Sequence, residues 1–283
     1  MALDQKELLD LKRTAAELRK LMIDVTGWAG GAHIGGSLSM TEILTILYYK
    51  YLNIDPKRPD CEERDRFVLS KGHGGMGHAV VLGHRGYFDS NILREFNHFG
   101  SNFGMHLDAN KVAGVDVSTG SMGHGLGQAV GLALGARQLG QSWRVYCLVG
   151  DGECHEGSIW EAAMAAPHFG VNNLTCFVDR NHFCIDGNTE DVMALEPFAE
   201  KWAAFGWEVR QVDGHDFGQL AEAIEFAHGF QDRPVLIEAT TVKGKGVDFM
   251  ENEPAWHYGG LNGELIEKAK ACIDRAVPQG GAS

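Results

Sequence analysis

The sequence predicts an α/β fold, a mostly parallel sheet with helices on both faces. Three observations lead to that expectation. From Arg144 onward, short β-branched runs alternate with helix-length segments, the rhythm of βαβ units whose crossovers cover both faces of a sheet. The run from Val145 to Val149 stops on Gly150-Asp151-Gly152, and sheets of this kind place their ligands beyond the carboxyl ends of strands. Apart from the tail Pro278-Gln279-Gly280-Gly281-Ala282-Ser283 there is no low-complexity segment, repeat or long linker, so residues 1–283 read as one domain.

Taken in order, residues 5 to about 28 read as a helix. Leu8, Leu9, Leu11, Ala15, Leu18, Leu21, Met22 and Val25 fall mostly on one stripe, with charged residues between them and Gly30-Gly31 at the end. Ala32 to Ser37 reads as a loop, and a second helix runs from about Met40 to Tyr51, ahead of Pro56. Gly72–Arg85, Ser90–His98 and Gly123–Leu139 are further helical candidates between glycine-rich turns. The strands then begin, at Val145–Val149, Leu174–Val178, Val209–Val212 and Val235–Thr241. Helices near Ser158–Phe169, Pro197–Phe205 and Phe217–His228 lie between them.

Composition excludes some functions. A formal charge of -13, with no Lys/Arg cluster, argues against a nucleic-acid binder, whose footprint is a basic patch. No apolar run approaches the roughly 20 residues of a membrane-spanning helix, and the start Met1-Ala2-Leu3-Asp4-Gln5-Lys6-Glu7 does not resemble a signal peptide. The six cysteines form no CxxC pair and no zinc-like spacing, which suggests a reducing, cytoplasmic setting.

The chemistry concentrates at two strand ends. Gly150 and Gly152 let the backbone approach a ligand closely, and Asp151 presents a hard carboxylate oxygen suited to a divalent cation. Twenty-eight residues separate Gly152 from Asn181, enough for one helix and one strand, so Asp151 and Asn181 meet at neighbouring strand ends. Two side-chain oxygens and a loop carbonyl leave room in an octahedral Mg²⁺ shell for phosphate oxygens and water. Taken alone, Asp-Gly is an ordinary turn; the spaced asparagine and the glycine-flanked histidines make the difference.

GDG followed after 28 residues by Asn resembles the thiamine diphosphate motif, and the stretch from Gly150 to Ala162 is similar to its transketolase version. Gly30 to Gly36, Asp65 to His73, Val117 to Gly125 and Lys243 to Gly260 resemble further transketolase segments, in the same order along nearly the whole chain. The resemblance implies the thiamine-diphosphate-binding fold, with thiamine diphosphate and Mg²⁺ (or Ca²⁺ or Mn²⁺) as cofactors. It implies Asp151, Asn181 and the carbonyl of Phe183 as metal ligands, and Gly152, Asn181, His73 and His257 around the diphosphate. Gly120, Ser121 and Met122 would lie along the cofactor, with Ile185 nearby. His33, His106 and His257 would face the sugar and move protons, a task suited to an imidazole titrating near 6.5. Glu156 and Glu161 resemble the family's interface acids. Of the other histidines, His98, His168 and His228 read as structural and His124 as the best additional candidate. There are departures: Ser121-Met122 replaces Pro-Leu, Ile34 replaces a proline, and Gly104-Met105-His106-Leu107 replaces Gly-His-Pro.

A complete transketolase also has pyrimidine-binding and C-terminal domains, and the glutamate that activates the cofactor's pyrimidine ring belongs to the former. No residue here matches it. The expectation is therefore the diphosphate-binding subunit of a split transketolase. A second chain would carry those domains in an α2β2 assembly, and a two-carbon ketol unit would pass from a ketose to an aldose. The ketose expected is a pentose phosphate, a sulfosugar or a branched sugar phosphate. Other readings are the α chain of a 2-oxo acid dehydrogenase, half of a 1-deoxyxylulose-5-phosphate synthase, or a non-catalytic regulatory subunit.

Overall fold

The computed structural model describes residues 3–276, so the tail Pro278–Ser283 lies outside the described residues. Five strands, β1 (Arg66–Leu69), β2 (Val145–Gly150), β3 (Leu174–Arg180), β4 (Glu208–Asp213) and β5 (Val235–Thr240), form one sheet in the order β1-β2-β3-β5-β4. Every pairing is parallel. All carboxyl ends therefore reach the same edge, and the register aligns Gly150 with Asp179.

The helices are α1 (Gln5–Trp28), α2 (Ile34–Ser39), α3 (Thr41–Ile46), α4 (Gly75–Arg85), α5 (His124–Gln138), α6 (Gly157–His168), α7 (Thr189–Met193), α8 (Phe198–Ala204), α9 (Phe217–Gly229) and α10 (Gly263–Ala276). Strand alternation divides the core between the two faces. Tyr146, Leu148, Phe177 and Ile237 pack with α1 to α4 and α9, whereas Val145, Cys147, Val149, Cys176 and Val178 pack with α5, α6 and α8. Helix α1 starts at a reciprocal cap, in which Glu7 N–H donates to the Asp4 carboxylate and Asp4 N–H to that of Glu7.

The first third of the chain departs from the sequence expectation. The loop expected at Ala32–Ser37 is mostly helix α2, because its glycines serve close packing rather than a turn. A Cβ on Gly35 would lie 2.7 Å from the Trp256 carbonyl oxygen and 3.1 Å from Lys243 Cγ. The helix expected over Met40–Tyr51 is α3 followed by a π-helical turn, Leu47–Tyr51, and Ser90–Glu95 is 3₁₀ rather than α-helix. Strand β1, read only as part of a histidine motif, is the sheet's first edge. Helices α7 and α10 are also not expected from the sequence.

Helix α4 buries His78, whose Nε2 lies 2.6 Å from the Tyr48 hydroxyl. Burial pushes its pKa down to about 3. Below about 6.5 the unfolded chain takes up a proton that this site refuses, so its contribution is full above that pH and declines as pH falls toward the folded value. His78→Gln is expected to remove a slope of up to about 1.4 kcal/mol per pH unit. Denaturant midpoints of both proteins at pH 7 and pH 5 check this; an unchanged slope refutes it.

Candidate active site

Asp151 and Asn181 are the first residues beyond β2 and β3. Asp151 N–H donates to the Asp179 carbonyl at 3.3 Å, joining the two strand ends. The Asp151 carboxylate accepts from Gly152 N–H at 2.8 Å, His182 N–H at 2.5 Å and the Arg180 guanidinium at 3.3 Å. His182 reaches it by adopting a left-handed φ of 65°. The Asn181 amide is oriented at both ends, Nδ2 donating to Asp179 at 3.3 Å and Oδ1 accepting from Phe183 N–H at 3.1 Å. Gly152 is required by close approach, since a Cβ there would lie 2.9 Å from that of Cys184. Asp151 is 1% exposed, and burial, followed by the neighbouring Asp179 charge, raises its pKa to about 6.

These residues open onto a cavity of about 380 Å³. It collects His33, His73, His106, Gly120, Met122, Asp151, Gly152, Asn181, Phe183, Ile185 and His257. Ser121, expected beside the cofactor, is exposed and is not part of the lining. His33 sits centrally, its ring 5.6 Å from His73, 6.4 Å from His106 and 5.4 Å from His257. Met122 and Ile185, 41% and 65% exposed, leave an apolar rim.

Sequence reasoning gave no role to three other side chains here. Lys71 is fully buried, bonded to Asp179 and, at 3.1 Å, to the Gly36 carbonyl. Lys243 is 2% exposed with Nζ 2.7 Å from His257 Nδ1, and among the described residues no carboxylate pairs with it. The available signal was position, since each lysine follows a strand within a motif already singled out. Glu153 is a structural clasp, accepting from Ser70 Oγ at 2.6 Å, Gly123 N–H at 2.8 Å and Gly150 N–H at 3.1 Å. His124 is exposed and bonds its own turn at the Met122 carbonyl, whereas His155 lines the cavity.

Residues 11–274 match the family model described as transketolase, thiamine diphosphate binding domain. This chain belongs to the transketolase family. It is 40% identical to the 6-deoxy-6-sulfo-D-fructose transketolase subunit SqwG of Clostridium sp. (strain MSTE9), over 95% of this chain and 98% of that protein. It is 38% identical to an apulose-4-phosphate transketolase subunit of Actinobacillus succinogenes, over 91% and 93%. The transketolase of Leishmania mexicana superposes with a TM-score of 0.90 at 28% identity, over 95% of this chain and 42% of that one. The chain thus spans about two-fifths of a full-length transketolase and nearly all of the subunit relatives.

The site fits the cofactor that the transketolase domain binds. Among the described residues, His33 Nδ1 is buried without a hydrogen-bond partner and no carboxylate forms an ion pair with the buried Lys243. Among the described residues no group of three or more His, Cys, Asp or Glu could hold a metal. The expected donors, one carboxylate, one amide oxygen and one carbonyl, would be a sparse set that suits an ion sharing its shell with phosphate. Burial, then neighbouring positive groups, lowers His33 to about 4 and His257 to about 3, and puts His73 well below its usual range. The sequence-based expectation of imidazoles near 6.5 is corrected for His33 and His257. At neutral pH they are uncharged, each with one N–H to give and one lone pair to accept. Among the described residues no helix is long and apolar enough to cross a membrane.

Proposed function

We propose that this chain is the diphosphate-binding subunit of a two-component transketolase in a reducing, cytoplasmic setting. It transfers a two-carbon ketol unit from a ketose with an anionic far end to an aldose. The observation that carries the reading is the cavity uniting the Asp151/Asn181 strand ends, the buried Lys243 ammonium and His33, His73, His106 and His257. The names of the subunit relatives, which specify a sulfonated ketose and a branched ketose phosphate, support the substrate class. That both relatives are named as subunits of their enzymes supports a second chain carrying the pyrimidine-binding and C-terminal domains, which we place with this one in an α2β2 assembly. The intact, buried Asp151/Asn181 pair favours a catalytic over a regulatory role.

In this reading Asp151, Asn181 and the Phe183 carbonyl hold Mg²⁺, while Lys243, His73, His257 and Gly152 face the diphosphate. Gly120, Met122 and Ile185 lie along the cofactor. Bound thiamine diphosphate supplies an electron sink for cleaving the carbon–carbon bond beside a ketone. The chain's own residues position and polarise. Neutral His33 accepts from and donates to sugar hydroxyls beside His106, and His33 Nδ1, without a partner among the described residues, takes one of them.

Co-expression with the neighbouring subunit gene, followed by ketol-transfer assays on 6-deoxy-6-sulfo-D-fructose and a branched ketose phosphate, tests this. Activity is expected only with both chains, thiamine diphosphate and Mg²⁺. Full activity of this chain alone refutes the two-component reading, and oxidative decarboxylation of a 2-oxo acid in place of ketol transfer refutes the reaction.

A further inference from the structure

Outside the lining of the cofactor cavity, three side chains from distant parts of the chain form a buried polar relay. Arg19 of α1 meets Glu42 of α3 through two bonds of 2.6 Å. Glu42 Oε2 lies 2.9 Å from Nδ1 of His215, in the turn between β4 and α9. Arg19 and Glu42 are 7% and 6% exposed, and the His215 side chain is 13% exposed. None of the three lies in the lining of the cofactor cavity.

The relay ends on main chain. Val242 N–H donates to His215 Nε2 at 2.8 Å, which fixes the tautomer: Nε2 is bare, and Nδ1 carries the proton given to Glu42. At the other end Arg19 Nε donates to the Lys245 carbonyl at 3.0 Å. Val242 and Lys245 bracket Lys243, the buried cation that reaches the cavity. Further bonds fix the same turn, from Gly244 N–H to the Gly35 carbonyl at 3.0 Å and from Asn252 N–H to the Lys243 carbonyl at 2.9 Å.

A buried ion pair is a weak source of net stability, because desolvation offsets most of the attraction and apolar replacements of similar volume are often as stable. We propose that Arg19, Glu42 and His215 are positioning residues that hold residues 242–245 so that the Lys243 ammonium stays aimed at the cofactor's diphosphate. This rests on the reading of Lys243 as a diphosphate contact. None of the three touches cofactor or substrate; they act through the backbone on either side of Lys243.

The test uses His215→Phe, which fills the space without either bond, and His215→Gln, whose amide oxygen can accept from Val242 N–H. Amide exchange of residues 241–246 is measured in the full chain without cofactor, and thiamine diphosphate affinity by calorimetry in the two-chain complex with Mg²⁺. For His215→Phe, exchange is expected to quicken about tenfold and affinity to fall about tenfold, with the thermal midpoint nearly unchanged; His215→Gln recovers most of both. Unchanged exchange and affinity in His215→Phe overturn the proposal. So does equal loss in both variants in step with a falling midpoint, which marks a merely structural role. Lys243→Met separates this inference from its premise. If that variant keeps full affinity, the assignment of Lys243 to the diphosphate fails, while the exchange data still report whether the relay holds the turn.

Discussion

Replacing Asp151 with alanine is expected to abolish Mg²⁺-dependent thiamine diphosphate binding, by about 100-fold or more in affinity, while leaving the fold standing. Asp151 is the only carboxylate among the proposed metal ligands, and neither the Asn181 amide nor the Phe183 carbonyl can replace its charge. The fold survives because Arg180, its buried cationic neighbour, also pairs with Glu190 and Glu196 at 2.8 Å each and donates to Thr189 at 2.9 Å. No buried charge is stranded. Of the two backbone N–H groups that lose their acceptor, that of Gly152 lies at the cavity and that of His182 is only part-buried, so water can replace the carboxylate. Asp151→Asn keeps the shape and one oxygen, so it should resemble alanine in affinity rather than wild type. Calorimetry with and without Mg²⁺, beside a thermal melt of the same sample, checks both halves. Wild-type affinity in Asp151→Ala overturns the metal assignment.

Lys71→Met is expected to cost about 3–5 kcal/mol of global stability, as does removal of one partner from other buried ion pairs. Lys71 and Asp179 are 1% and 0% exposed. Burial by itself raises the carboxyl pKa of Asp179, yet the Lys71 ammonium and the Ser39 and Thr241 hydroxyls hold it below its ordinary value. Without the ammonium, a central-strand carboxylate stays charged in an apolar interior or takes up a proton, and either is unfavourable. The double variant Lys71→Met with Asp179→Leu removes both charges and should recover much of the loss. Urea unfolding of the three proteins decides this, and a single variant as stable as wild type refutes the pair's structural role.

The second half of the chain was legible because its residues obey a simple period. Val145, Cys147 and Val149 face one core and Tyr146 and Leu148 the other, and the spacing from Gly152 to Asn181 is one helix and one strand. The first third was not, because tertiary packing overrides local preference there. Gly35 and Gly36 look like a turn and sit in a helix pressed against Trp256 and Lys243. Strand β1 is four residues long and owes its existence to its neighbour β2. In the site, histidines flanked by glycine could be picked out, while Lys71 and Lys243 could not. A lysine looks the same in sequence whether its ammonium is in water or sealed beside a carboxylate or an imidazole. The reading of His33 and His257 as titrating near neutrality failed for the same reason, since burial sets their basicity.

The parallel sheet has one more consequence. Its carboxyl edge gathers groups from His33 to His257, so the cavity wall is assembled from segments spread along most of the chain. A nick or truncation anywhere between those limits removes the ligand site as a whole rather than leaving a weaker one. A cofactor that recognises only the assembled edge then acts as a thermodynamic guard on the entire polypeptide. At a free concentration one hundred times its dissociation constant it deepens the native well by about 2.7 kcal/mol. The amount of this protein that survives proteolysis in a cell should follow the supply of thiamine diphosphate.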